Sequence, residues 1–403
     1  MLRRILALAV ASSALSLAAC GDDAADDPAG GEDVGVDTAD DTAGGSDAGL
    51  DAADDTTADA GPEPTVPDLP EGWTVIEPGG DTVCSRGTPY RFAVRRGTVN
   101  RVVVDYMGGG ACWDATTCGF AGAIFNEDTE GLEDLFAPGQ TGSGIYDDTN
   151  PENPFADWWH VFIPYCTGDI HWGDAQTTYG EGAGAVTIEH RGAVNGAAVL
   201  DWITENFSAP EQLFVTGCSA GAYGSIGWAP RILDRFPDAA ITQLGDSGVG
   251  IITDQFFEDS FPSWNATEIL PEWIETLNPD VVDIFALELS DIYIRIAEFY
   301  PDIVFSQFTT AYDDNQTFYF EAMGGGDVFD WSEQMYTMIE RAVDASPNFA
   351  SYIAPGERHC ILPYDAFYDV EADGVRLVDW VNDLVAGENP GHVRCVDCEA
   401  PEQ

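Results

Sequence analysis

The chain has no lysine. Its 403 residues carry 15 basic side chains, all arginine, against 71 acids, with only five histidines and five methionines. A phosphate-gripping P-loop is excluded, because that motif needs a lysine and no G-x-G-x-x-G run takes its place. Nucleic acid is excluded as a partner, since a surface of this sign repels a polyanion. The acidity is not confined to one tail. Residues 61–403 still hold 57 acids against 13 arginines, a net of about −44. Dissolved salt screens such self-repulsion, so a saline working environment is expected. Long apolar runs are missing too: beyond the first 20 residues none is able to cross a bilayer.

What is present begins with a leader. Leu2-Arg3-Arg4 precedes an apolar stretch from Ile5 to Leu17, and Leu17-Ala-Ala-Cys20 closes it. That is the pattern of a bacterial lipoprotein signal over residues 1–20, with cleavage before Cys20 and lipid on its sulfur. Gly21, rather than Asp, follows the cysteine and favours the outer membrane. The expected contact with a membrane is through this lipid alone. Positions 21–60 are mainly Asp, Ala, Gly and Thr, with fourteen acids and no base. Such a segment buries no core and repels itself, so residues 21–66 are expected to form an extended tether. The glycine-centred spacing of a calcium loop is absent from it. Residues 67–403 are expected to be the folded domain.

Eight cysteines remain after Cys20, an even number in an exported chain, which points to disulfides. Cys112 and Cys118 flank a short loop and make the clearest pair. His392, Cys395 and Cys398 resemble part of a zinc set, but one ligand is missing and a Cys395–Cys398 disulfide is the preferred reading.

Strands and helices alternate along the domain. Arg91–Arg95 and Arg101–Asp105 read as a hairpin turning at Gly97, and Trp158–Tyr165 as a buried strand. Gly192 to Phe207 has Val194, Ala197, Leu200, Ile203 and Phe207 at helical spacing. Ala239–Leu244, Asp302–Phe308 and Ala350–Ile353 read as later strands, the last of them closing the sheet. The interval from Phe256 to Tyr300 reads as helices over its top, and Val375–Leu384 as a final helix. This alternation predicts an α/β fold, a mostly parallel sheet flanked by helices with helical lid or cap insertions.

The chemistry centres on Leu213-Phe-Val-Thr-Gly-Cys-Ser-Ala-Gly-Ala222. A buried strand, a tight G-x-S-x-G turn and a small-residue helix make the nucleophile elbow of hydrolases, with Ser219 at its tip. A serine hydroxyl needs an imidazole to take its proton, and the imidazole needs a carboxylate to fix its tautomer. Among His160, His171, His190, His359 and His392, only His359 follows a terminal strand and precedes a final helix. His160 lies inside a strand and reads as core; His190 opens a helix and reads as its cap. Position favours Asp313 as the orienting acid, with Asp246 and Asp314 remaining open. Gly108-Gly109-Gly110 after a strand, together with the amide of Ala220, offers donors for an oxyanion.

These motifs occur in series: Gly108–Cys112 with Cys118, Val161–Asp169, Gly217–Gly221, Asp246–Gly248, Ala311–Asp313 and His359-Cys360. In that order they resemble the pectin acetylesterase and Notum carboxylesterase family. The resemblance implies an α/β-hydrolase fold and ester hydrolysis with neither metal nor cofactor. It implies Ser219 as nucleophile, Asp313 as acid and His359 as base, with oxyanion donors from Gly109, Gly110 and Ala220. The chain departs from the pattern at Ala111, where the family has tryptophan, at Met107 and at Ala222. Those changes touch the acyl pocket, so the substrate does not follow from the mechanism. An ester on an acylated polysaccharide is the expected partner, and the net charge favours an uncharged glycan over pectin. A longer-chain deacylase is the alternative; a catalytically silent surface-binding lipoprotein is the reading from another class.

Overall fold

The computed structural model describes residues 65–120, 123–136 and 142–401. The leader, Cys20 and all but the last two residues of the acidic tether lie outside them. In chain order the strands are β1 (Trp73–Ile76), β2 (Phe92–Arg95), β3 (Arg101–Tyr106), β4 (Trp159–Ile163), β5 (Ala175–Tyr179) and β6 (Val186–His190). There follow β7 (Gln212–Cys218), β8 (Ala240–Asp246), β9 (Val304–Thr310), β10 (Phe349–Ala354), β11 (Glu371–Ala372), β12 (Val375–Arg376) and β13 (His392–Arg394). Nine of these form one sheet, in the order β1-β2-β4-β3-β7-β8-β9-β10-β13. From β4 to β13 every pair is parallel; only β1 and β2 run against their neighbours. The central strands are apolar and buried along nearly their whole length, as covering on both faces requires. The fold is therefore the mostly parallel α/β sheet that the alternation of elements predicts.

Two sequence expectations fail here. The stretches around Phe92 and Val102 are not a hairpin, because β4 lies between them and pairs with both through His160. Gly97 is not a turn residue but a crossing point. A Cβ there would lie 2.3 Å from the Trp159 amide nitrogen, so only glycine lets the connection pass the start of β4. The amides of Thr98 and Val99 then bond the Asp157 carbonyl. Nor is β10 the last strand, since β13 adds in parallel at its edge. Three residues carry too short a pattern to be recognised.

The expected helix after β6 spans Gly192–Asn206, but its buried stripe is Asn195, Gly196, Val199, Leu200 and Ile203. Ala197 is exposed, so the apolar face is rotated from the expected one. The helix Ala220–Arg235 packs on β3, β7 and β8 through a face rich in glycine and alanine. Between β8 and β9 the chain builds the helices Asp254–Trp264 and Leu289–Phe299, the expected insertion. No helix of the described residues is long and apolar enough to cross a membrane.

Candidate active site

The elbow forms because strand β7 must turn into a helix within one residue. Ser219 takes φ 57° and ψ −121°, a strained conformation for a non-glycine residue, and the helix starts at Ala220. The turn closes against β3. A Cβ on Gly221 would stand 1.7 Å from the Tyr106 carbonyl oxygen, so no side chain is tolerated there. The Ser219 amide is held by the Asp246 carbonyl at 2.7 Å.

Asp313 and His359 come together from the ends of β9 and β10. Nδ1 of His359 lies 2.9 Å from both carboxylate oxygens of Asp313. Asp313 has no solvent exposure and caps the helix Asp314–Ala322. Its Oδ1 accepts the amides of Asn315 and Gln316 at 3.1 and 2.8 Å, and its Oδ2 accepts the Gln316 side-chain amide at 3.0 Å. Asp314 is exposed. Asp246 is buried and binds main-chain amides beyond the histidine instead. Of the three candidate acids, Asp313 alone touches the imidazole. Burial disfavours the charged imidazole, but the Asp313 carboxylate, supported by Asp246 and Asp314, outweighs it and raises the His359 pKa above its ordinary value.

Nε2 of His359 is buried without a hydrogen-bond partner, and the residue lines the same cleft as Ser219. Gly110 and Ala220 line that cleft too. Gly109 sits behind them, packed between Tyr165 and Asn126, with its carbonyl accepting the Asn126 amide at 2.9 Å. The glycine loop is brought against the elbow: a Cβ on Gly108 would come within 2.9 Å of the Ser219 Cβ. The cleft encloses about 550 Å³, open mouth included. Its wall is apolar, with Ala111, Ile252, Phe256, Phe261, Trp264 and Met323 prominent.

The other predicted positions separate cleanly. His160 is buried in β4 with Nε2 2.9 Å from Asp105, a core pair. His190 is not a helix cap. It ends β6, and its ring bonds the Thr167 carbonyl and the Tyr179 hydroxyl, since Arg191 precedes the helix. Disulfides join Cys112 to Cys118, Cys395 to Cys398, Cys84 to Cys166, and Cys218 to Cys360. The partial zinc set at His392 is thus without thiolates, and its ring faces Ser351. Sequence reasoning missed two supporting residues. Gln316 holds Asp313, and its place one helical turn after the acid was the available signal. His171 bonds the Met107 carbonyl at 2.8 Å and so braces the glycine loop; no local pattern marks it.

Comparison with known proteins bears on the family and the fold. The pectinacetylesterase family model matches residues 72–270, which include the glycine run and Ser219 but end before Asp313 and His359. An inactive palmitoleoyl-protein carboxylesterase, notum1b of Danio rerio, is 31% identical over 122 residues, 28% of this chain and 76% of that protein. The chain belongs to the pectin acetylesterase and Notum carboxylesterase family. Pectin acetylesterase 11 of Arabidopsis thaliana is 27% identical over 41% of the chain, but the match spans only 42% of that relative's length. The structure of the Wnt deacylase Notum from Drosophila superposes with a TM-score of 0.61 at 17% identity. That likeness covers 82% of this chain and 97% of the other, and shows the shared fold.

Proposed function

We propose that this chain is an exported serine carboxylic-ester hydrolase in which Ser219 attacks the ester carbonyl. His359 takes the hydroxyl proton and returns it to the leaving alcohol; Asp313 keeps the Nδ1 proton in place so that Nε2 is the accepting nitrogen. Water, activated through the same Nε2, then releases the acyl group from Ser219. One juxtaposition carries this reading: an imidazole bound through Nδ1 to a buried carboxylate, its unpaired Nε2 in the cleft that holds an elbow serine. The amides of Gly110 and Ala220, with Gly109 adjoining, are the proposed donors to the oxyanion. Four disulfides support an oxidising compartment, and Cys20 is the proposed lipid anchor.

For the substrate, the family resemblance and the charge together favour acetyl esters on an uncharged glycan. Acetylated pectin hydrolysed as fast as acetylated xylan at low salt would refute the charge argument. A second reading has its own observation. The wall formed by Phe256, Phe261, Trp264 and Met323 is apolar, which favours a longer acyl chain. A panel of p-nitrophenyl esters from acetyl to dodecanoyl decides between them by where kcat/KM peaks. Ser219→Ala should lose on the order of a thousandfold or more while still folding. Hydrolysis by the alanine variant at the wild-type rate would end the serine-esterase reading.

A further inference from the structure

Asp246 ends β8, and Ser247 follows with φ 60°, in the left-handed region. Asp246 stands beside Cys218 in the ladder, and its carbonyl accepts the Ser219 amide. Its carboxylate, fully buried, accepts the amides of Ile361 and Leu362, each at 2.9 Å. The Ser247 hydroxyl accepts the Cys360 amide at 3.0 Å and donates to Asp246 at 3.2 Å. Three successive amides after His359 are thereby caught by Asp246, which also holds the Ser219 amide, and by its neighbour Ser247. The Cys218–Cys360 disulfide repeats the link covalently. From the other side, the Thr310 hydroxyl donates to the Arg358 carbonyl at 2.9 Å.

Neutral oxygens would satisfy those amides as well, and a buried carboxylate is costly. Burial outweighs the amides of Ile361 and Leu362 and raises Asp246 to about 6, so it is mostly charged at neutral pH. Asp313 bonds the imidazole from the helix start, the charges of Asp246 on β8 and of Asp314 also favour its protonated form, and Glu357 and Arg358 flank it in sequence. Beyond burial, the Asp246 charge also helps raise the pKa of Tyr146, whose hydroxyl donates to Asp105 at 2.6 Å.

We propose that Asp246 and Ser247 are positioning residues that hold the His359 loop in register with Ser219, and that the Asp246 charge stabilises the imidazolium formed during proton transfer. The proposal rests on the esterase reading. Its test is the rate of inactivation by a fluorophosphonate probe, with p-nitrophenyl acetate turnover, over roughly pH 5 to 9. Wild type, Asp246→Asn and Ser247→Ala are compared. In Asp246→Asn the acid midpoint should move down by about half a pH unit or more, because a charge favouring the protonated ring is gone. Its kcat should fall about tenfold or more with KM changed less than about threefold. Ser247→Ala should lose about threefold or more in kcat with its acid midpoint unmoved, since the charge remains. A lowered Tm in Asp246→Asn with the wild-type midpoint would mean a merely structural role and overturn the proposal. If that variant does not fold, Ser247→Ala decides, and an unchanged kcat there also overturns it. A wild type that the probe does not label sinks the esterase reading instead.

Discussion

Replacing Asp313 by asparagine changes one atom, and its consequence follows from the hydrogen bonds around the carboxylate. Oδ1 accepts two helix amides at 3.1 and 2.8 Å, so the asparagine carbonyl oxygen stays there. The new amide nitrogen then takes the place of Oδ2, 2.9 Å from His359 Nδ1 and 3.0 Å from the Gln316 side-chain nitrogen. Donor meets donor at both contacts. Nδ1–H can still donate to the retained Oδ1, also 2.9 Å away, but moving the proton to Nε2 lets Nδ1 accept from the new amide, and Nε2 is the nitrogen that must receive the serine proton. On the scale of this substitution in other triad enzymes, kcat falls about ten-thousandfold, roughly 5.4 kcal/mol in barrier height. The pH profile changes as well. In wild type, kcat/KM is lost as pH falls through the folded His359 pKa, which lies above its ordinary value. Without the Asp313 charge that pKa drops, so the acid limb of the residual activity moves to lower pH. Turnover of p-nitrophenyl acetate, normalised to correctly folded protein, measures both effects, with Asp314→Asn as control. Asp314 is exposed, and its variant should stay within about tenfold of wild type. Asp313→Asn within tenfold of wild type, or the two variants exchanging behaviour, would refute the reasoning.

Two further outcomes follow from charge and cleft shape. Because residues 61–403 carry a net of about −44, the melting temperature should rise as NaCl goes from about 0.05 M to about 1 M; a flat or falling series removes the saline expectation. Ala111→Trp should place an indole in the cleft that Ala111 now lines, lowering kcat/KM for octanoyl esters about tenfold or more and for acetyl esters less than about threefold. Equal losses on both esters would show that the acyl chain does not pass this wall.

Much of the site was legible because its chemistry needs local sequence. An elbow serine needs small neighbours for the turn to close, so G-x-S-x-G is visible without a structure. The order of Ser219, Asp313 and His359 along the chain follows the order of the strands that carry them. The fold class was legible for a similar reason: β3, β4 and β7 are nearly continuous apolar runs, as strands buried on both faces must be.

Strand neighbours were not legible. β2 and β3 are separated by five residues, the spacing of a hairpin, yet β4 from some sixty residues later lies between them. The insertion is permitted by a missing side chain at Gly97, and a glycine at a turn looks the same in sequence as a glycine at a crossing. The partnership of Cys218 with Cys360 and the grip of Asp246 on the amides after His359 also required the tertiary structure. Both depend on which residues the sheet brings to one edge. Periodicity and turn chemistry are properties of neighbouring residues, so the sequence alone determined the elements and the reactive groups. Pairing across 142 positions is decided by loop closure and packing of the whole chain, which no local pattern records.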